Sequence, residues 1–137
     1  MTMTETRPIP QLTGGIVPHL QLSDANAASA FYQRAFGAVE VVRMPAEDGK
    51  RLMHCHVQFN GGSLAFMDAS LDPSAHERAA GFDLIVPVDD IDAWWERAVA
   101  AGAKPLMAPQ KMFWGDRYAQ LENPFGIRWS LDEPAKA

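Results

Sequence analysis

The chain has 137 residues, with 12 Lys plus Arg, 17 Asp plus Glu and one cysteine. That is the length of one domain, or of two half-domains sharing a core, and such a chain buries roughly 68% of its unfolded surface without staples. One cysteine excludes a disulfide framework and a Cys-based zinc knuckle, a net charge of −5 argues against nucleic acid or an anionic membrane as main partner, and no run approaches the roughly 18 apolar residues of a membrane span.

Met1 to Thr13 is polar, carries Pro8 and Pro10 and lacks an apolar signal core, so it reads as a loose tail on a cytoplasmic protein. Gly15 to Leu22 reads as a strand. Ser23 or Asp24 then caps a helix from about Ala25 to Phe36, whose stripe is Ala27, Ala28, Phe31, Tyr32, Ala35 and Phe36. Gly37 ends it, because glycine adopts the left-handed conformation cheaply. Strand-like segments follow at about Val39 to Met44, Leu52 to Asn60 and Ser63 to Asp68, with Gly61-Gly62 as the tight turn between the last two. Residues 70–80, with Pro73, read as a connector.

The pattern then recurs. Phe82 to Val88 is strand-like, Asp89 or Asp90 caps a helix from about Ile91 to Ala101, and Gly102 ends it. Its stripe is Ile91, Trp94, Trp95, Ala98 and Val99, with Trp94 and Trp95 assigned to the core or a subunit contact. Weaker strand signals lie near Pro105 to Met107, Arg117 to Glu122 and Ile127 to Leu131, the last two joined by Asn123-Pro124-Phe125-Gly126. Gln33-Arg34-Ala35-Phe36 matches Glu96-Arg97-Ala98-Val99 at an offset of about 63 to 65 residues. The expectation is an α+β fold of two βαβββ modules: one domain over residues 14–131, module one about 14–69, module two about 81–131, and a polar tail over 132–137.

Alternation divides the strands into two faces. Leu20, Leu22, Met53, Cys55, Val57, Phe59, Phe82, Leu84, Val86, Ala119, Leu121, Ile127, Trp129 and Leu131 form the apolar set, so Cys55 is expected as a buried, inert thiol. Val39 to Met44 gives no clean split. The opposite set holds His19, Gln21, His54, His56, Gln58, Asp83, Tyr118, Gln120, Glu122 and Arg128. By periodicity alone this is either a solvent face or the lining of a ligand groove.

Paired βαβββ modules resemble the vicinal oxygen chelate superfamily, the glyoxalase/bleomycin-resistance/dioxygenase group, in its PhnB-like branch. The residues carrying the likeness are Phe31-Tyr32-Gln33-Arg34-Ala35-Phe36-Gly37-Ala38, Arg43-Met44-Pro45, Met53-His54, Arg97 to Ala103, Met112-Phe113-Trp114-Gly115-Asp116-Arg117-Tyr118, Asn123-Pro124-Phe125-Gly126 and Trp129-Ser130. Asn123 departs from the Asp usual in the branch, a change expected to touch only the turn. The resemblance implies sheets curled around a shared groove and a homodimer that often exchanges modules.

It also implies a divalent metal held by His, Gln or Glu. Carried over, those positions fall on Val17, on Gly81 (or Asp83 with a two-residue slip), near Met67 or Asp68, and on Ser130. Val17, Gly81 and Ser130 are not strong ligands, so the expectation is no metal cofactor. The alternative is one divalent metal ion on displaced ligands, His54, His56, His19 and Glu122. Phe113 and Trp114 either stack on a flat ligand or anchor their loop, and Arg117 either pairs with Asp116 or holds an anionic group. The leading expectation is a small organic ligand bound by His19, Gln21, His54, His56, Gln58, Phe113, Trp114, Arg117, Tyr118, Gln120 and Arg128. A metal-dependent glyoxalase, isomerase or extradiol dioxygenase is the rival.

Overall fold

A computed structural model describes residues 12–72 and 81–136. The first module runs β1 (His19–Leu22), α1 (Ala25–Phe36), β2 (Val39–Pro45), β3 (Leu52–Phe59) and β4 (Gly62–Asp68), followed by a short 3-10 turn at Ala69–Leu71. The second runs β5 (Leu84–Pro87), α2 (Ile91–Ala100), β6 (Lys104–Lys111), β7 (Arg117–Glu122) and β8 (Arg128–Glu133). The sheets have matching orders, β1-β4-β3-β2 and β5-β8-β7-β6, so two βαβββ modules are present as expected. In each, the first strand lies parallel to the last and the other pairs are antiparallel. The expected connector falls mostly on residues 73–80, outside the described residues.

The repeat extends to the helix caps. Asp24 Oδ1 accepts from Ala27 N at 3.0 Å and Asp90 Oδ1 from Ala93 N at 3.2 Å, each satisfying an otherwise orphaned first-turn donor. The last strand of each module supplies a second carboxylate. Asp68 Oδ1 accepts from Ala25 N at 3.0 Å, and Glu133 Oε1 accepts from Ile91 N at 3.0 Å. Asp68 is buried, and its Oδ2 also takes Leu52 N at 2.7 Å, so one side chain joins α1, β3 and β4.

Several expectations change. The tight turn is Asn60-Gly61, both with positive φ (53° and 78°), and Gly62 already pairs with Phe59. Asn-Gly suits a turn that needs two left-handed residues, which Gly61-Gly62 missed by one position. Residues 132–135 are not a tail: β8 runs to Glu133, and Ala135 N donates to Asp116 Oδ1 at 2.8 Å. Thr13 is likewise tied down, exchanging backbone and side-chain bonds with Ser63. Met53 and Phe82, expected in the core, are half-exposed. The β2–β3 register slips by one residue between Met44↔His54 and Pro45↔Leu52, so Met53 bulges outward and Leu52 takes the core place. A second slip at Val41 explains why the β2 segment showed no alternation. Phe82 precedes the start of β5 and has no ladder to hold it inward.

One core spans both modules. Phe31, Tyr32 and Phe36 of α1 meet Phe66, Phe59, Phe125 and Trp129, with Tyr32–Trp129 and Phe36–Trp129 centroids 5.6 and 5.0 Å apart. Trp94 and Trp95 pack half-buried against this core. Two polar ties cross the junction. Arg97 Nε donates to Arg34 O at 2.9 Å over Gly37, and buried Asn123 Nδ2 donates to the Tyr32 hydroxyl at 2.8 Å. Asn123 Oδ1 also accepts from Phe125 N and Ile127 N, so this residue does more than shape its turn.

Candidate functional site

The first module's polar face is built on β1, β4 and β3. His19, Ala65 and His56 are register partners across three strands, so the backbones of the two histidines lie two strand spacings, about 9.5 Å, apart. His19 Nδ1 and Gln21 Nε2 are 3.2 Å apart. His56 is buried, with Nε2 2.7 Å from Ser63 Oγ, which also accepts from Thr13 N at 2.8 Å and meets Gln58 Nε2 at 3.5 Å. Burial, and then the neighbouring His54, hold His56 below the ordinary imidazole value. His54 is half-buried on the same face and pairs with Met44 in register.

The second module's polar face has three cross-strand rows, Lys104–Glu122–Arg128, Met107–Gln120–Ser130 and Gln110–Tyr118–Asp132. A directed chain of hydrogen bonds links them. Gln120 Nε2 donates to the Tyr118 hydroxyl at 3.3 Å, Tyr118 donates to Ser130 Oγ at 2.7 Å, and Ser130 donates to the Asp83 carboxylate at short range. Ser130 is fully buried beneath this chain. Trp114 stands edge-on to Tyr118 with centroids 5.7 Å apart, and Phe113 edge-on to Trp114 at 4.9 Å. Phe113 is 96% exposed and Trp114 46%. Burial, and then the adjacent Asp116 carboxyl, hold Asp132 above the usual carboxylate range.

Arg117 departs from expectation. Its guanidinium binds both Asp92 oxygens, at 2.7 and 3.1 Å, and Asp92 lies on α2. Residues 117, 119 and 121 share a face, and Ala119 and Leu121 are core, so Arg117 belongs to the helix side, opposite Tyr118. Arg128 is exposed and faces Glu122 across the β7–β8 ladder. Cys55 is buried as its parity predicted, and burial followed by Glu40 pushes its thiol up to about 12.

The His19–Gln21 and His56–Ser63 contacts lie within the first module, and the Gln120–Tyr118–Ser130–Asp83 chain lies within the second. The cleft of about 270 Å³ between the modules is lined by Phe59, Leu64, Leu84, Ile85, Pro87 and Trp129 among others, not by the histidines. At the positions where a family metal is implied, Val17 offers no donor atom, Asp83 offers a carboxylate and Ser130 a hydroxyl already engaged by Tyr118 and Asp83. Asp68 is committed to two backbone N–H groups. Among the described residues no three His, Cys, Asp or Glu side chains are grouped to hold a metal ion, and His19, His54, His56 and Glu122 form no such set. That donor set does not fit a resident metal.

Sequence reasoning missed Ser63 and Asp132, and paired Asp116 with Arg117 where the structure sets it on Ala135 N. Asp132 was legible as the next alternate residue after Arg128 and Ser130, had the last strand been drawn past Leu131. Ser63 carries the parity of the polar face on β4, but nothing local marked it as the anchor of His56.

Against known proteins, a family model described as the Glyoxalase/Bleomycin resistance protein/Dioxygenase superfamily matches residues 14–131. The chain is 37% identical over 127 residues to an uncharacterized protein of Mycobacterium tuberculosis, covering 87% of this chain and 74% of that one. The solved structure of TioX from Micromonospora sp. ML1 superposes with a TM-score of 0.69 at 28% identity, over 90% of this chain and 98% of that one. A PhnB protein from Bacillus cereus superposes with a TM-score of 0.70 at 18% identity, over 88% and 100%, a likeness of fold alone.

Proposed function

This chain belongs to the Glyoxalase/Bleomycin resistance protein/Dioxygenase superfamily, and from that membership we propose that it binds a small organic molecule against the polar faces of its sheets, without a resident metal. The observation that carries the reading is the Gln120–Tyr118–Ser130–Asp83 chain beside the exposed Trp114. Where relatives are expected to place metal ligands, this chain has a saturated organic network. Preorganised hydroxyls and an amide next to an aromatic wall fix the orientation of a flat ligand without Lewis-acid chemistry.

A second copy completes the groove in this reading, as a homodimer in which the second-module face of one chain meets the first-module face of the other. It is supported by the way the modules join, since Arg97, Asn123 and the shared aromatic core tie them through surfaces other than the polar faces. His19, Gln21, His54 and Gln58 then line the second wall, and His56 braces it through Ser63. A cytoplasmic location belongs to the same proposal. Among the described residues no helix is long and apolar enough to cross a membrane.

The test is tryptophan fluorescence titration with a panel of flat organic compounds, with and without EDTA, using untagged protein. Quenching that EDTA leaves unchanged and Trp114→Ala abolishes is the expected result. Binding that requires a divalent ion, or one tightly held ion per chain by elemental analysis, overturns it.

A further inference from the structure

In the β3–β4 turn the Asn60 side-chain carbon Cγ and the Gly61 peptide nitrogen are chain neighbours able to close a ring. Asn60 is the one non-glycine residue with positive φ among the described residues, and Gly61 follows it at φ 78°. Both are exposed, and a Cβ on Gly61 would meet nothing within 4 Å, so no side chain crowds its nitrogen. Asn60 Nδ2 donates to Pro87 O at 2.8 Å, from the first module to the last residue of β5 in the second. Both residues line the cleft of about 270 Å³ between the modules, so this bond is a clasp across its walls. The other asparagines are held out of reach of such chemistry. Asn26 Nδ2 donates to Lys50 O at 2.6 Å, its Oδ1 accepts from Arg43, and the next nitrogen, Ala27 N, is bonded to Asp24 Oδ1. Asn123 is buried and precedes Pro124, whose nitrogen has no hydrogen to lose. Asp48 also precedes a glycine, but bonds from Lys50 N, Arg51 N and the Arg51 guanidinium keep its carboxyl ionised, a poor electrophile.

We infer that Asn60 is a site of self-modification: in water it deamidates to an aspartyl or isoaspartyl link, and the conversion releases the clasp on Pro87. The Gly61 nitrogen gives its proton to hydroxide and bonds to Asn60 Cγ; the Cγ–Nδ2 bond breaks, and ammonia leaves with a proton taken from water. Water then adds to one of the two ring carbonyls, the ring C–N bond on that side breaks, and the nitrogen regains its proton. Addition at Cγ leaves the ordinary backbone bond broken and reroutes the main chain through neither product alike: opening at the Cγ side gives aspartate, and opening at the backbone carbonyl gives isoaspartate, whose main chain runs through the side chain. Aspartate sets a carboxylate acceptor against the Pro87 carbonyl where a donor stood. Isoaspartate lengthens a two-residue turn whose left-handed pair keeps Phe59 opposite Gly62. Either product adds one negative charge to a chain of net charge −5. The clasp also restrains the reaction, because ring closure turns Asn60 out of its left-handed conformation and the bond to Pro87 has to open first.

The full chain and a free peptide of residues 56–64 are incubated side by side for two weeks in mildly alkaline buffer. Proteolysis, mass spectrometry and labelling with an isoaspartyl methyltransferase then locate the product. The expected mass gain, the difference between a hydroxyl and an amino group, falls on Asn60 alone and carries methyl label. It forms at least about twofold more slowly in the chain than in the peptide, since a hydrogen bond has to open. The converted chain, separated on an anion exchanger by its added charge, is expected to exchange the β5 amides of Leu84 to Val86 at least about twofold faster than the unconverted chain, with β7 unchanged. Asn60→Gly fits the left-handed position, cannot convert and has no clasp, so it reproduces the faster β5 exchange with no change in mass. Conversion at the peptide's speed, conversion at Asn26 or Asn123 instead, or no conversion in the native chain overturns the inference. So does a converted chain whose β5 amides exchange no faster than those of the unconverted one.

Discussion

Replacing Asn123 by Ala removes three hydrogen bonds from a residue that is 3% exposed. Its amide nitrogen bonds the Tyr32 hydroxyl at 2.8 Å, and its oxygen accepts from Phe125 N at 3.0 Å and Ile127 N at 2.9 Å. Tyr32 and Ile127 are themselves buried, so the hydroxyl and one backbone N–H lose their partner where water does not replace it. Burial already pushes the Tyr32 phenol well above its ordinary range, offset in part by the N–H groups of Asn123 and Trp129. The Trp129 indole N–H does not reach hydrogen-bond geometry, so it is no substitute for Asn123. At about 1–3 kcal/mol for each of the two buried orphans, the loss is about 2–6 kcal/mol. For a chain of this length about 3–4 °C accompanies each kcal/mol, so thermal unfolding by circular dichroism is expected about 6–24 °C lower. Asn123→Asp keeps both turn acceptors and receives the Tyr32 proton, so it is expected within about 4 °C of wild type. An Ala variant that melts no lower than the Asp variant refutes the reasoning, because hydrogen bonding to Tyr32 and the turn would then not be what joins the modules here.

Asp68→Ala strips acceptors from Ala25 N and Leu52 N, both buried, and is expected to cost about 2–6 kcal/mol in urea unfolding, with faster amide exchange at Leu52. Wild-type exchange at Leu52 in the variant contradicts this. The Cys55 thiol, pushed up to about 12, is expected to ignore Ellman's reagent at pH 8 until the chain is unfolded, so stoichiometric labelling of native protein is the contrary outcome. His56 has its folded pKa held below the free imidazole value of about 6.5. The unfolded chain therefore binds more protons in that window, and the stability present above about pH 6.5 is lost as the pH falls through it. The melting temperature of wild type is expected to drop more steeply from pH 7.5 to 5 than that of His56→Gln, and parallel profiles sink the claim.

What the sequence determined by itself was whatever depends on neighbours along the chain. Asp24 and Gly37 bound α1 where expected, because capping is settled by a few consecutive residues. Alternation placed Ala119, Leu121, Ile127, Trp129 and Leu131 in the core, because β7 and β8 pair without a slip. The repeat was visible in the matching helix ends, and with it the two-module fold. Tertiary structure alone decided the rest. A bulge belongs to two strands at once, so nothing local foretold that Met53 turns outward while Leu52 takes the core. Arg117 reads as a binding residue until Asp92, 25 residues away, claims it. Asp83 and Ser130, separated by 47 residues, meet only because β5 lies parallel to β8. A polar group's role depends on which partner reaches it first, and that partner is chosen by the packing of distant elements rather than by spacing along the chain.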